Sequence, residues 1–430
     1  MRLLPIVAVI LATAAFVGGA GSSVLEQRQR PAAAESRKQG GATVLGLVYQ
    51  RDEATLRRLD ALTLRPVGRS RLRVLSSGAH SFSPNRRTLV LSSGEPWPQL
   101  RFVDARTLHL RGTLDLPGSG WPSEFLWGSS SRLTVLLQGR EARVVTVDPQ
   151  ARKVIGSRPF PGMAVAADTG GGRLAVLLAP AGSIGGSRVA VFDSEGGLVG
   201  IAAVDGVQAG SERLERSDDA YATRARRPGI AVSPDGARAV VVSSGNQIAE
   251  VALDTLQVSY HELSQPISLL GRLHDWLEPP AQAKIVEGPY REARWLGEEQ
   301  IAVTGMDYRG LKDGKWDASA VGLRVIDTRN WSVRTVAEDV TGIVRVNELL
   351  LAFGGNWPEG STGTGLLAYG PEAEERFHAL GSRPVGWVET AWPYGYVARA
   401  DGQGQRRDVI DLRSGSILGT ATGPVSILGS

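Results

Sequence analysis

The sequence contains no cysteine among its 430 residues. This absence excludes a disulfide framework, a thiolate metal site and a cysteine nucleophile. Lysine is also scarce, with 5 residues against 43 arginines, and the formal net charge is only +4. The arginines are scattered along the chain, whereas a nucleic-acid-binding surface requires basic residues that cluster on one face. We therefore expect no nucleic-acid partner.

Sequence motifs typical of enzymes are absent as well. The chain has no Gly-X-Ser-X-Gly elbow, no His-Glu-X-X-His pair, no P-loop and no dinucleotide fingerprint. Each of these motifs places a nucleophile, a metal ion or a phosphate in a defined local structure. The sequence therefore predicts no catalytic residue, no metal ligand and no cofactor.

The N-terminal residues 1–21 consist of a long apolar run behind a single arginine at position 2. Its length of about 19 residues fits the apolar region of a signal peptide and equally an uncleaved membrane anchor, and both remain open. Residues 22–41 are polar and biased in composition, as expected of a flexible tether. We predict an extracytoplasmic protein, which is either secreted or anchored in the cell membrane by residues 3–21.

Beyond the tether, short runs of Val, Leu, Ile and Thr alternate with turn residues, a pattern that predicts an all-β domain over residues 42–430. An apolar run that ends in aspartate recurs, at first every 44 residues. The aspartates are Asp60, Asp104, Asp148, Asp193, Asp254, Asp327 and Asp411, and Gly370 takes the equivalent position in one further unit. The pattern therefore divides the domain into eight units.

These aspartates look like a metal or acid–base array, but a structural role is favoured. An aspartate side chain can accept a hydrogen bond from the backbone two residues later and so close a hairpin turn. Each unit also contains an earlier hairpin, seen best at VSPDGARAVVVSS (232–244) and FSPNRRTLVLSS (82–93). Every unit is therefore expected to hold four strands, here called a, b, c and d.

Units of 40 to 45 residues with four strands each are typical of a β-propeller. The segment SPDGARAVVVSSGNQIAEVALDTLQV (233–258) resembles the SPDG and YVTN-type, WD40-like repeats of exported bacterial propellers. This resemblance implies a fold whose functions range from lactone hydrolysis to protein scaffolding, so it carries no catalytic residue over to this chain. We predict eight blades, or seven if a terminal unit is misassigned.

The two ends of the domain predict how the ring closes. The first unit lacks strand a, whereas GPVSILGS (423–430) is an apolar strand with no blade of its own. If this segment supplies strand a of blade 1, it closes the ring and covers an otherwise exposed edge.

In a propeller, the b–c and d–a connections emerge on one face, here called the top. The three longest predicted insertions lie in such connections, at residues 206–228, 265–290 and 306–320. Within 265–290, four apolar residues at helical spacing predict an amphipathic helix: Ile267, Leu270, Leu273 and Leu277. That helix could pack on the propeller, dock a partner or lie on a membrane.

Four of the ten tryptophans precede a proline. Trp97, Trp121 and Trp357 are predicted on the top face, whereas Trp392 is predicted on the bottom. Each could either cap the core of its own blade or form an aromatic rim for binding. The candidate binding residues of the top face are Trp97, Trp121, Trp316, Trp357, Tyr308 and Arg309.

Strand a lines the central channel, so polar residues near its start could face a ligand. These residues are His80, Glu124, Arg291, Glu292 and Arg383. The sequence thus supports a monomeric, non-catalytic scaffold that binds an unknown extracytoplasmic protein, peptide or glycan, with membrane contact only through an uncleaved N-terminal segment. The alternative is a hydrolase or lyase of the lactonase or glycan-processing kind, which requires His80, Glu124 and a second carboxylate to converge.

Overall fold

The structure, a computed structural model, describes residues 41–50, 53–74, 78–93, 97–128, 131–217, 220–267, 286–310, 316–355, 363–399 and 406–429. The predicted N-terminal segment and almost all of the tether lie outside these ranges, as do residues 268–285 of the predicted amphipathic helix. The described residues are all-β and contain no helix. Within them, no helix with the length and apolarity of a membrane span is present.

The chain forms an eight-bladed β-propeller, as predicted, and its strands are numbered β1–β34 in chain order. Blade 1 contains β1 (Thr43–Gln50), β2 (Glu53–Asp60), β3 (Pro66–Val74) and β34 (Val425–Gly429). Blade 2 contains β4 (His80–Phe82), β5 (Thr88–Ser93), β6 (Gln99–Asp104) and β7 (Leu110–Asp115). Blade 3 contains β8 (Trp121–Trp127), β9 (Leu133–Gln138), β10 (Ala142–Asp148) and β11 (Lys153–Phe160). Blade 4 contains β12 (Met163–Gly170), β13 (Arg173–Ala179), β14 (Ile184–Phe192) and β15 (Leu198–Ser217).

The second half of the ring repeats this arrangement. Blade 5 contains β17 (Gly229–Val232), β18 (Arg238–Val242), β19 (Gln247–Ala252) and β20 (Val258–Glu262). Blade 6 contains β21 (Val286–Leu296), β22 (Gln300–Gly310), β24 (Leu323–Asp327) and β25 (Ser332–Ala337). Blade 7 contains β26 (Gly342–Val346), β27 (Leu349–Gly355), β28 (Gly363–Tyr369) and β29 (Glu375–Ala379). Blade 8 contains β30 (Val385–Ala391), β31 (Tyr394–Arg399), β32 (Arg406–Asp411) and β33 (Ser416–Thr422).

Ring closure follows the predicted scheme, since the C-terminal strand β34 pairs antiparallel with β1. Polar contacts fix this strand on both sides. Arg407 of blade 8, 5% exposed, donates to the carbonyl oxygens of Gly423 and Val425. Glu389 accepts a hydrogen bond of 2.8 Å from the hydroxyl of Ser426. On the blade 2 side, the His80 ring lies 3.0 Å from the carbonyl oxygen of Leu428.

The core consists of apolar layers between neighbouring blades. Between blades 4 and 5, for example, Leu177 and Val191 pack with Ile230 and Val241, and all four side chains are buried. Because every blade has two such faces, neither face of a sheet is left to water.

The recurring aspartates close the turns between strands c and d, as predicted for six of the seven. At Asp60, Oδ1 accepts hydrogen bonds from the backbone N–H groups of Leu62 and Thr63, at 3.1 and 2.8 Å. Equivalent contacts to the backbone occur at Asp104, Asp148, Asp193, Asp327 and Asp411. These side chains are therefore structural turn residues.

Asp254 corrects the predicted alignment. In blade 5 the turn position belongs to Ala252, whose carbonyl oxygen accepts from Leu256 N–H at 2.8 Å. Asp254 lies two residues later and forms an ion pair of 2.5 Å with Arg173 of blade 4. Asp254 therefore fits the sequence pattern but does not occupy the turn position that the other six aspartates share.

Two of the predicted insertions form strands on the top face. Strand β15 continues to Ser217 and folds back as β16 (Ala220–Arg226), which pairs in parallel with β21 of blade 6. Gly288 permits this approach, because its φ is +124° and a Cβ atom there would lie 1.9 Å from the carbonyl oxygen of Ala225. Similarly, β22 extends to Gly310 and pairs with β23 (Trp316–Ala320). A ten-stranded sheet therefore joins blades 4 and 6 across blade 5.

Closure by β34 predicts a contrast between two isoleucines near the C-terminus. Ile427 of β34 is 4% exposed, whereas Ile417 of β33 is 51% exposed. Ile427→Ala should destabilise the protein by about 2 to 5 kcal/mol, because a buried aliphatic side chain is lost from the seam.

The matched control Ile417→Ala should change the free energy of unfolding by about 0.5 kcal/mol or less. Thermal or urea unfolding of both variants measures the difference. Equal stability of the two variants would contradict the closure scheme.

Candidate functional site

Two of the tryptophans predicted on the top face are described, and both are exposed to solvent. Trp97 lies in the b–c connection of blade 2 and is 76% exposed, and Trp121 begins β8 and is 49% exposed. Trp392 lies in the a–b turn of blade 8, at the opposite end of the strands, and is 40% exposed. Trp97 thus does not cap the core of its blade.

The remaining top-face candidates are only partly described. Trp357 lies outside the described residues, and for Trp316 and Arg309 the structure describes only the backbone, which forms the β22–β23 pair. Tyr308 is partly buried, its hydroxyl lies 3.2 Å from Met306 Sδ, and burial raises its pKa. Tyr290 lies beside it, and burial raises the pKa of Tyr290 to about 12.

Arg291 does not line the channel. Its guanidinium is fully buried, donates to the carbonyl oxygens of Tyr290 and Met306, and forms an ion pair of 2.7 Å with Asp307. Neighbouring residues of a strand point to opposite faces of the sheet, so Arg291 points away from Glu292 and Arg294. The contacts of Arg291 therefore hold β21 to β22, on the face of the sheet opposite Glu292.

His80 and Arg383 also stay apart from the other channel candidates. In β4, Ser81 accepts a hydrogen bond from Trp127 of blade 3, whereas the neighbouring His80 turns to Leu428 of blade 1. Burial lowers the pKa of His80, although the contact with Leu428 opposes the shift. Arg383 is exposed in the connection before β30. The structure therefore does not bring His80 together with Glu124.

A charged cluster occupies the lower part of the channel. Arg294 of β21 lies 3.1 Å from Glu292 Oε1 and 3.8 Å from Asp168 Oδ1 of blade 4. Asp168 also accepts a hydrogen bond of 2.8 Å from Val232 N–H of blade 5. Glu124 of blade 3 acts electrostatically on the same arginine and accepts no hydrogen bond from any described residue. Four blades thus contribute to one cluster.

A cavity of about 290 Å³ lies beside this cluster. It is lined by Asp168, Thr169, Val232, Glu292, Arg294, Trp295, Ile343, Val344 and Arg345. Strand a runs from the top to the bottom of each blade, and most of these residues lie in its last half. The cavity therefore lies towards the bottom of the channel, away from Trp97 and Trp121.

Burial dominates the electrostatics of the three carboxyl groups. It raises the pKa of Glu124 to about 7; Arg294 opposes this shift, and the carboxylates of Asp168 and Glu292 reinforce it. Burial likewise raises the pKa of Asp168 and of Glu292, against the favourable charge of Arg294. The same three carboxylates raise the pKa of Arg294, although its burial acts in the other direction. Arg294 therefore faces three partly desolvated acids, and Arg345 adds a second favourable charge at Asp168.

Several of these residues escape prediction from the sequence. Asp168 follows a run of alanines close to the a–b turn, and Arg345 lies in an ordinary strand, so neither carries a local signal. Arg294 could have been predicted from the sequence, because residues two apart in a strand share a face and Glu292 was already a candidate. Among the described residues, no group of three or more histidines and carboxylates has the arrangement of a metal site.

Comparison with known proteins identifies the fold only. No protein-family model matches the sequence, and no curated protein matches it. Among solved structures, the dihydro-heme d1 dehydrogenase NirN in complex with DHE is similar with a TM-score of 0.52 and 14% identity, covering 89% of this chain and 74% of that chain. BamB from Moraxella catarrhalis has a TM-score of 0.43 and 11% identity, covering 83% of this chain and 93% of that chain. At such identities, the similarity to NirN supports the propeller fold and nothing more specific.

The raised pKa of Glu124 predicts an unusual pH dependence of stability. Between pH 4.5 and about 7 the folded state retains a proton that the unfolded state has lost, so this group lowers stability as pH rises through that window. Glu124→Gln should remove the effect, because glutamine does not ionise. The melting temperature of the variant relative to the natural sequence should therefore increase from pH 5 to pH 7.5.

The matched control is Glu141→Gln, which removes a carboxylate that is 57% exposed. Its melting temperature relative to the natural sequence should stay nearly constant over the same range. A flat pH profile for Glu124→Gln would show that this carboxyl group is ionised normally.

Proposed function

We propose that this chain is an exported, non-catalytic β-propeller that binds another extracytoplasmic macromolecule through its top face. The observation that carries the proposal is that Trp97 is exposed on the top face, which also bears the strand insertions. A rigid scaffold with additions on one face is the usual way in which propellers and related folds present a binding surface.

The tryptophans support binding on physical grounds. An indole ring offers a large contact area and has only two rotatable side-chain bonds, so it loses little conformational entropy on binding. Trp97 and Trp121 belong to blades 2 and 3 and begin or flank top connections. Covering such side chains with a partner removes apolar surface from water and is therefore favourable.

The strand additions favour a polypeptide over a glycan as the partner. Strand β23 pairs with β22 on one side, and no described strand pairs with its other side. An open strand edge presents backbone donors and acceptors that an extended peptide can complete. We therefore propose a protein or peptide, with a glycan as the alternative outcome of the test.

We propose no reaction for this chain. The hydrolase or lyase alternative depended on His80, Glu124 and a second carboxylate in one cavity, and His80 turns to Leu428 instead. Glu124 has acidic neighbours in Asp168 and Glu292 but no histidine among its electrostatic partners. The charged cluster is therefore better interpreted as a binding feature.

The tryptophan proposal predicts a difference between the two ends of the propeller. Trp97→Ala and Trp121→Ala should each weaken partner binding by about 1 to 2 kcal/mol if the residue belongs to the binding centre. Trp392→Ala is the matched control, since Trp392 also precedes a proline and is 40% exposed at the opposite end. Binding by the control should be unchanged.

Capture from a cell-envelope extract, followed by titration of the captured molecule, measures these effects. Melting temperatures of the same variants test the competing structural role. If Trp97→Ala lowers the melting temperature as strongly as a core substitution and leaves binding unchanged, the proposed rim is wrong.

The proposed extracytoplasmic localisation is tested separately. A C-terminal reporter that is active only outside the cytoplasm should be active on the full chain and inactive after deletion of residues 3–21. Carbonate extraction of membranes then distinguishes an anchored protein from one released by signal cleavage. Activity of a cytoplasmic reporter on the full chain would contradict export.

A further inference from the structure

Arginines without a counter-charge line the outer strand of blade 1. Arg69 and Arg71 of β3 are exposed, as is Arg65 in the turn before it. Arg57 of β2 lies directly opposite Arg71 and is partly exposed. With the other residues that the structure describes, none of these four side chains forms an ion pair or a hydrogen bond. Residues 61–74, which include the c–d turn and β3, are here called the blade 1 edge.

In two other blades the outer strand neutralises its arginine. In blade 2, Arg111 of β7 pairs with Asp104. In blade 7, Arg376 of β29 pairs with Glu374 at 2.5 Å. Two guanidinium groups that face each other across a strand pair repel instead and reduce the stability of the sheet. The blade 1 edge therefore gains stability from an anion that another molecule supplies.

Exposed apolar side chains lie at the lower end of the same edge. Leu62 is 44% exposed in the c–d turn, and Val67 is 42% exposed near the start of β3. Leu64 of the same turn is buried against blade 8, so the turn is anchored without the side chain of Leu62. Arginines beside exposed aliphatic groups suit a membrane surface, where anionic headgroups lie directly above an apolar layer. A soluble anion would use the arginines alone.

The predicted membrane segment joins the domain at this edge. Gly41, the first described residue, lies beside the c–d turn, because a Cβ atom on Gly41 would be 2.8 Å from Asp60 Oδ2. The predicted tether, residues 22–41, therefore reaches the propeller next to the exposed turn. A flexible chain of about 20 residues spans roughly 25 Å on average. The blade 1 edge thus stays within reach of any membrane that residues 3–21 enter.

We propose that the blade 1 edge binds the headgroups of an anionic phospholipid membrane. Arg65, Arg69 and Arg71 pair with the phosphates, while Leu62 and Val67 enter the boundary between headgroups and acyl chains. The contact fixes the orientation of the propeller on the membrane and leaves its top face free. It rests on the predicted membrane segment and not on the proposed partner binding.

A label on the edge tests this contact in the full chain, reconstituted into nanodiscs through its N-terminal apolar run. The chain has no cysteine, so Ser70→Cys places one fluorescent label between two arginines of β3. A nitroxide on the lipid headgroups should quench this label at least about threefold more in discs that contain phosphatidylglycerol than in pure phosphatidylcholine. About 0.5 M salt should remove the difference, because it screens the charges. Reconstitution requires no export, so a failure here leaves the proposed localisation untouched.

Two double variants of the labelled chain show whether the arginines make the contact. Arg69→Gln with Arg71→Gln should lower quenching in the anionic discs to the level of the neutral ones. The matched control is Arg140→Gln with Arg158→Gln, which removes the same charge from exposed positions of blade 3 and should leave quenching unchanged. Melting temperatures of both double variants show that they fold.

Three results would overturn the proposal. Equal quenching in anionic and neutral discs would mean that the tether alone holds the edge near the lipid. Undiminished quenching after loss of Arg69 and Arg71 would exclude contact through these side chains. A label at Ser119→Cys, exposed on the top face, should be quenched weakly, and equal quenching there would exclude a fixed orientation.

Discussion

The propeller depends on the antiparallel pairing of β34 with β1, which joins the two ends of the domain. Six blades are built from four consecutive strands and blade 6 from β21, β22, β24 and β25, whereas blade 1 takes its inner strand from the C-terminus. A blade without its inner strand would expose an edge and one side of two apolar layers, so the pairing stabilises both neighbours as well. The buried guanidinium of Arg407 and the carboxylate of Glu389 fix this strand through contacts to its backbone and to Ser426.

The fold could be predicted from the sequence, whereas the site could not, because the signals that define turns and strands are local. Turn chemistry is local: an aspartate or an SPDG segment acts within a few residues, so eight units could be counted along the chain. In blade 5, however, Asp254 placed the predicted turn two residues too late, because Ala252 forms the turn without a side-chain acceptor. The orphan strand was recognisable from its missing partner. Strand order and closure therefore followed from sequence.

Positions in the channel depend on relations that no local pattern contains. Strand register sets the face to which a side chain points. The fully buried Arg291 and the channel residue Glu292 are therefore adjacent in sequence but lie on opposite faces of the sheet. The contact between Arg294 and Asp168 joins blades 6 and 4, residues far apart in sequence. The candidates predicted from the sequence were polar residues near strand starts, whereas Asp168 and Arg294 of the cluster lie towards strand ends. His80 shows the same limitation, because its partner Leu428 belongs to the closing strand.

The ten-stranded sheet across blades 4 to 6 gives the ring a mechanical asymmetry. Most blades meet their neighbours mainly through packed apolar side chains. Blades 4 and 6 are additionally joined by backbone hydrogen bonds through β16 and β21, with Arg227 N–H donating to Pro289 O at 3.0 Å and Arg291 N–H to Arg227 O at 2.8 Å. In an eight-bladed ring, the spanned blade 5 stands diametrically opposite blade 1, where the chain ends meet. The ring therefore has one seam closed by a single strand and, facing it, an arc of three blades whose outer two are tied together by backbone hydrogen bonds.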